Sequence, residues 1–136
     1  MAPIGLAHRG DWSRAPENTL AAFAAAERAG ADMIELDVRR TRDGVAVVLH
    51  DRTLDRVWGV PRAVGDLTLE EVQAVGTGRD DGRIPTLREV LDATALPVMV
   101  DYVDTDVVEP ALADVRRAGA VERALFAGGN LDGHRL

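Results

Sequence analysis

Short apolar runs alternate along this chain with stretches of helical spacing. Ile4–Ala7 is apolar and stops at His8-Arg9-Gly10, the pattern of a strand running into a loop. Pro16-Glu17-Asn18-Thr19 carries helix-start chemistry, since Asn and Thr can cap and an acid sits near the positive end. Leu20, Phe23, Ala24 and the alanines between them continue a helix to about Ala29, with Gly30 as its stop. Asp32–Val38 alternates with period two, Asp43-Gly44 signals a tight turn, and Val45–Leu49 is short enough for a buried strand. Farther on, Thr68 caps "LEEVQAV" with Glu70 and Glu71 in the first turn, and Thr86 starts "LREVLDATAL". Leu96–Val100 is a fourth strand candidate ending at Asp101, Val107–Arg117 is helical, and Arg123–Ala127 is a fifth apolar run. Strands alternating with helices predict parallel βα units, an α/β protein.

The second strand decides where chemistry belongs. Ile34, Leu36 and Val38 share one parity and are uniformly apolar, so they face the helix layer. Glu35 and Asp37 share the other parity with Met33 and point inward together. Two carboxylates on one face repel, and a divalent cation with hard oxygen ligands, Mg²⁺ or Ca²⁺, is the simplest neutraliser; a solvent-facing edge strand is the bland alternative.

Composition narrows the class. The 136 residues suit one domain, spanning 1–136, with an ordinary 46% hydrophobic and 29% charged content. A net charge of −7 argues against a nucleic-acid partner. There is no cysteine, so disulfide and thiolate chemistry are excluded, and all 16 basic residues are Arg. No run approaches the roughly 20 apolar residues of a membrane span, and the N-terminus lacks signal-peptide character. A soluble, cytoplasmic protein is expected.

Two histidines close apolar runs. His8 is followed by Arg9, a natural phosphate fork, and by Gly10, which permits close backbone approach. A lone histidine in such a place is more often structural, but this neighbourhood favours function. His50-Asp51 ends the third run; Asp51 can cap the following turn while His50 is catalytic. Two imidazoles near a metal supply a general acid and a general base.

The segments "AHRG", "PENTLAAF", "IELDV", "DGVAVVLHD", "TLDR" and "LTLEEV…IPTLREVLD" resemble the glycerophosphodiester phosphodiesterase family in order and spacing. That resemblance implies a TIM barrel with its site at the C-terminal strand ends. It implies metal-dependent hydrolysis of a small-molecule glycerophosphodiester to glycerol phosphate and an alcohol, within lipid and glycerol metabolism. His8 and His50 resemble the acid/base pair, assigned here as base and acid respectively. Arg9 resembles the phosphate-binding arginine, Glu17 and Asn18 the "EN" beside the substrate, and Glu35, Asp37 and Asp101 the metal carboxylates.

Two departures qualify the resemblance. Asp101 stands where the family has Glu, and Val103 where it has Lys. A barrel of this type takes about 250 residues and eight strands, so about five of eight βα units are expected, a C-terminally truncated domain. Such an arc leaves open edges, through which self-association is expected. His134, in the Gly-rich tail, reads as an exposed end residue. Two alternatives stand beside the enzyme: an impaired or inactive barrel fragment, and a related barrel phosphodiesterase acting on another phospholipid-derived substrate, such as a sphingomyelinase D-like or phosphoinositide-cleaving enzyme.

Overall fold

The chain is seen here in a computed structural model that describes residues 5–13, 15–76 and 82–128. Four strands run parallel in the order β1 (Leu6–His8), β2 (Met33–Arg40), β6 (Val98–Tyr102) and β7 (Ala124–Gly128). Helices connect them on one face, α1 (Leu20–Arg28) between β1 and β2 and α5 (Val108–Arg117) between β6 and β7. Between β2 and β6 lie β3 (Ala46–Val48), β4 (Thr53–Leu54), α2 (Asp55–Trp58), β5 (Val60–Ala63), α3 (Leu69–Ala74) and α4 (Leu87–Ala93). The arc is part of a TIM-barrel wall.

Local chemistry sets the helix starts. Thr19 Oγ1 accepts from the Ala22 N–H, and Gly30 follows α1 with φ 95°. Thr68 with Glu71 and Thr86 with Glu89 form reciprocal capping boxes at α3 and α4.

The parity reading of β2 holds in the packing. Ile34, Leu36 and Val38 are buried with Val98 and Val100 of β6, Phe23 of α1, Leu87 and Leu91 of α4 and Val115 of α5. This is the core between sheet and helices. The opposite, lumenal face carries Leu6, His8, Glu35, Asp37, Met99, Asp101 and Leu125, as the registers Leu6↔Met33, His8↔Glu35, Asp37↔Asp101 and Met99↔Leu125 require. There Leu6 is 49% and Leu125 59% exposed, so the lumen is open.

The third apolar run departs from expectation. β3 is buried, but it pairs antiparallel with the end of β2, Val38 opposite Val48 and Arg40 opposite Ala46. Only Thr41–Val45 separate the strands, with Gly44 at φ 84°, and a parallel return needs a dozen or more residues. The barrel wall therefore has four parallel strands among the described residues, and the third predicted strand forms a hairpin with β2. The β4–β5 hairpin and α2, which the hydrophobic pattern does not reveal, cover a second cluster of Val47, Leu54, Val64 and Ile84. His134 lies outside the described residues. No described helix is long and apolar enough to cross a membrane.

Candidate active site

Every candidate residue sits at the C-terminal rim of the arc or in the loops leaving it. The chain turns sharply after β1: Arg9 at φ 62° and Asn18 at φ 59° both adopt the left-handed region that non-glycine residues rarely occupy. Two backbone bonds hold that turn, Arg9 N–H to Glu35 O at 2.7 Å and Asn18 N–H to Arg9 O at 2.8 Å. Between them Gly10, at φ 81°, packs so closely on α1 that a Cβ would stand 2.7 Å from the Ala22 carbonyl carbon. The loop is clamped, and it aims Arg9 back across the sheet.

Arg9 Nε lies 3.1 Å from Asp37 Oδ2, and its Nη1 lies 3.5 Å from Glu17 Oε2. Asn18 Nδ2 donates to the same Asp37 oxygen at 3.1 Å, and its Oδ1 is buried without a hydrogen-bond partner among the described residues. His8 Nε2 is 3.4 Å from Glu35 Oε1, with half of the imidazole exposed. Asp101, 3% exposed, stands beside Asp37 in the strand register.

The second histidine is held separately. His50 Nδ1 is 2.7 Å from Asp51 Oδ1. Arg56, the first turn of α2, donates from Nε and Nη2 to Asp51 at 2.9 and 3.0 Å and from Nη1 and Nη2 to Glu17 at 2.9 and 2.8 Å. Arg39 takes the His50 carbonyl with Nε and Nη2, at 3.0 and 2.9 Å, while its Nη1 donates to Asp104 at 3.0 Å. The hydrogen bonds from Arg56, helped by His50, hold the Asp51 carboxyl down at about 2. Burial works to raise the Glu17 carboxyl, but Arg56 and Arg9 outweigh it and hold that group below its ordinary value. The same two acids push the Arg56 guanidinium up.

The structure brings some of the candidate residues together and keeps others apart. Arg9, Asn18 and Asp37 are joined directly, and His8 meets Glu35. Glu17, read as substrate-binding, is 5% exposed and engaged by two arginines beneath the rim. Among the described residues no three acidic or imidazole groups are gathered closely enough to hold an ion as they stand. The donor chemistry still suits a hard cation: Glu35, Asp37 and Asp101 are oxygen donors on one rim, and the buried Asn18 Oδ1 is an acceptor beside Asp37. Side chains of Glu35 and Asp37 would have to turn from His8 and Arg9 to reach one.

The contact of Asp51 with its neighbour His50 is legible in the sequence, but Arg56 and Arg39 as supports of that pair are not. The spacing of Asp51 and Arg56 suggests a local pair, but nothing in it points to Glu17, 39 residues away from Arg56.

A parallel wall with acids and imidazoles at its C-terminal rim marks part of an α/β barrel. The profile of the glycerophosphoryl diester phosphodiesterase family matches residues 8–109, and the chain belongs to that family. It is 48% identical over 98 residues to a glycerophosphodiester phosphodiesterase of Caldanaerobacter subterraneus subsp. tengcongensis, covering 68% of this chain and 40% of that protein. Human glycerophosphodiester phosphodiesterase 1 is 40% identical over 94 residues, covering 63% of this chain and 28% of its own length. The crystal structure of glycerophosphodiester phosphodiesterase from Agrobacterium tumefaciens superposes with a TM-score of 0.83 at 33% identity, over 93% of this chain and 57% of that one. The chain thus spans about half or less of these relatives' lengths.

Proposed function

We propose that this chain carries the acid/base and anion-binding part of a glycerophosphodiester phosphodiesterase site, hydrolysing glycerophosphodiesters to glycerol phosphate and an alcohol. The observation that carries the reading is the convergence of His8, Arg9, Glu35, Asp37 and the His50–Asp51 pair on one rim of a family barrel wall.

Arg9, held by Asp37 and Glu17, is aimed to receive a phosphoryl oxygen with its free N–H groups. His8 takes the proton from the glycerol hydroxyl as that oxygen attacks phosphorus. His50 gives a proton from Nε2 to the departing alcohol oxygen, because Asp51 occupies Nδ1 and leaves Nε2 to face the substrate. Water then opens the cyclic phosphate, with the proton transfers reversed. Glu35, Asp37 and Asp101 would hold a divalent cation, Mg²⁺ or Ca²⁺, which supplies charge stabilisation at the phosphoryl group.

A second reading, a wall that turns over nothing until the rest of a barrel joins it, is favoured by the exposure of Leu6 and Leu125 in the open lumen. One experiment separates them. Purified chain is incubated with glycerophosphocholine with and without added Mg²⁺ or Ca²⁺, and glycerol phosphate is measured. Metal-dependent release supports the enzyme; no release under any metal condition, from chain shown to be folded, refutes activity of the chain alone.

A further inference from the structure

We propose that Arg56 is a positioning residue that clasps the loop after β1 to the loop after β3, and so fixes the His50 imidazole for proton transfer. This rests on the catalytic reading of His50 given above.

The grip has a specific geometry. One guanidinium meets two carboxylates, Glu17 on the β1 side and Asp51 on the β3 side, through four hydrogen bonds of 2.8–3.0 Å. Glu17 is fastened in turn by Arg9, which holds Asp37. Asp51 passes the constraint to His50 at 2.7 Å. The two loops share no ladder, since β1 pairs with the start of β2 and β3 with its end. Arg56 thus bridges the two loops directly, and through Glu17 it links the Arg9–Asp37 pair to the His50–Asp51 pair.

A planar fork is required for this. Lysine would bring the same charge as a single point and could not serve both carboxylates in parallel geometry. Half of the Arg56 side chain is exposed, and it adds little to the core, so its purpose is not packing. The arrangement resembles a relay of orientation rather than of protons: Arg56 keeps its charge, and its contact holds Asp51 ionised and in place.

The test compares the wild-type chain with Arg56→Met and Arg56→Lys, and uses Glu17→Gln to cut the clasp from its other side. Carboxyl-labelled aspartate reports the Asp51 titration by NMR, and labelled histidine reports the His50 Nδ1–H proton. The charged groups facing Asp51 are Arg56 and His50, with Glu17 and Arg9 behind Arg56. Arg56→Met should raise the Asp51 midpoint by about one unit or more and lose the His50 Nδ1–H signal to solvent exchange. Its kcat should fall about 10- to 100-fold through lost orientation, with KM little changed. Arg56→Lys should keep a low Asp51 midpoint yet recover only part of kcat. Glu17→Gln should leave Asp51 low while the His50 signal broadens, and it keeps the proposal testable if Arg56→Met does not fold.

An Asp51 midpoint and His50 signal unchanged in Arg56→Met would overturn the proposal, as would Arg56→Lys matching wild type in both NMR and kcat. The NMR readout needs no turnover. A clasp present in a chain that releases no glycerol phosphate refutes the proposed function alone; turnover with unaltered NMR in the variants refutes the clasp alone.

Discussion

Asp37 of β2 and Asp101 of β6 stand side by side where the parallel pairing of the two strands ends, both buried. Adjacent buried carboxylates raise each other's energy unless cations compensate, and Arg9 lies 3.1 Å from Asp37. Just past the end of β6 the next residue of the same parity is Val103, 45% exposed, where the resemblance to the family implies a lysine.

Asp101→Glu combined with Val103→Lys should therefore raise turnover. A longer carboxylate reaches farther into the lumen, and an added cation stabilises charge at the phosphoryl oxygens. Loss of one such stabiliser costs about 10²–10³ in rate, so a gain of about tenfold or more is expected. Steady-state release of glycerol phosphate checks it, and unchanged turnover with folding intact would reject this account of β6.

Acid stability should depend on Asp51. Its carboxyl is held at about 2 by Arg56 and His50, below its unfolded value of 3.8. A depressed folded-state value means the contribution is present above 3.8 and is lost as pH falls toward 2. Asp51→Asn should lower stability near neutral pH and flatten the acid limb between those values, read from urea midpoints across pH. Glu17, also held low, keeps part of that limb in the variant.

Much of this wall is legible in the sequence. The parity of Ile34, Leu36 and Val38 against Glu35 and Asp37 tells which face is core, because strand geometry leaves no other choice. Thr68 and Thr86 announce their helices through capping acids three residues on. The direction of β3 was misread although Asp43-Gly44 marks a turn too short for a crossover. The pairing of Glu17 with Arg56 is not legible, since it depends on where two distant loops meet in space.

Gly10 should tolerate no side chain. At φ 81° an alanine is strained, and its Cβ would meet Ala22 backbone at 2.7 Å, atoms that cannot move without shifting α1. Gly10→Ala should cost about 2–5 kcal/mol from the two effects together. Gly30→Ala, at φ 95° with nothing within 4 Å, should cost only the conformational part, about 1–2 kcal/mol. Denaturant unfolding of both variants checks the difference, and equal losses would show that the close approach to α1 is unimportant.

The 136-residue chain on its own should self-associate. β1 and β7 are the outer strands of the four-stranded parallel wall, and β1 offers a groove of about 750 Å³ lined by small residues of α1 and its end, Ala26, Ala29 and Ala31 among them. Leu6 on β1 and Leu125 on β7 present their side chains to an uncovered lumen, half or more exposed. In a closed barrel both edges would be paired and the lumen filled by packed layers. Apolar burial is worth about 25 cal/mol per Å², so covering that face and those edges favours association. Sedimentation velocity should show dimers or larger species whose share grows with concentration. Leu6→Glu with Leu125→Glu should shift the distribution toward monomer by placing like charges in the lumen. A monomer at all concentrations with one sharp thermal transition would show that four parallel strands satisfy their own edges.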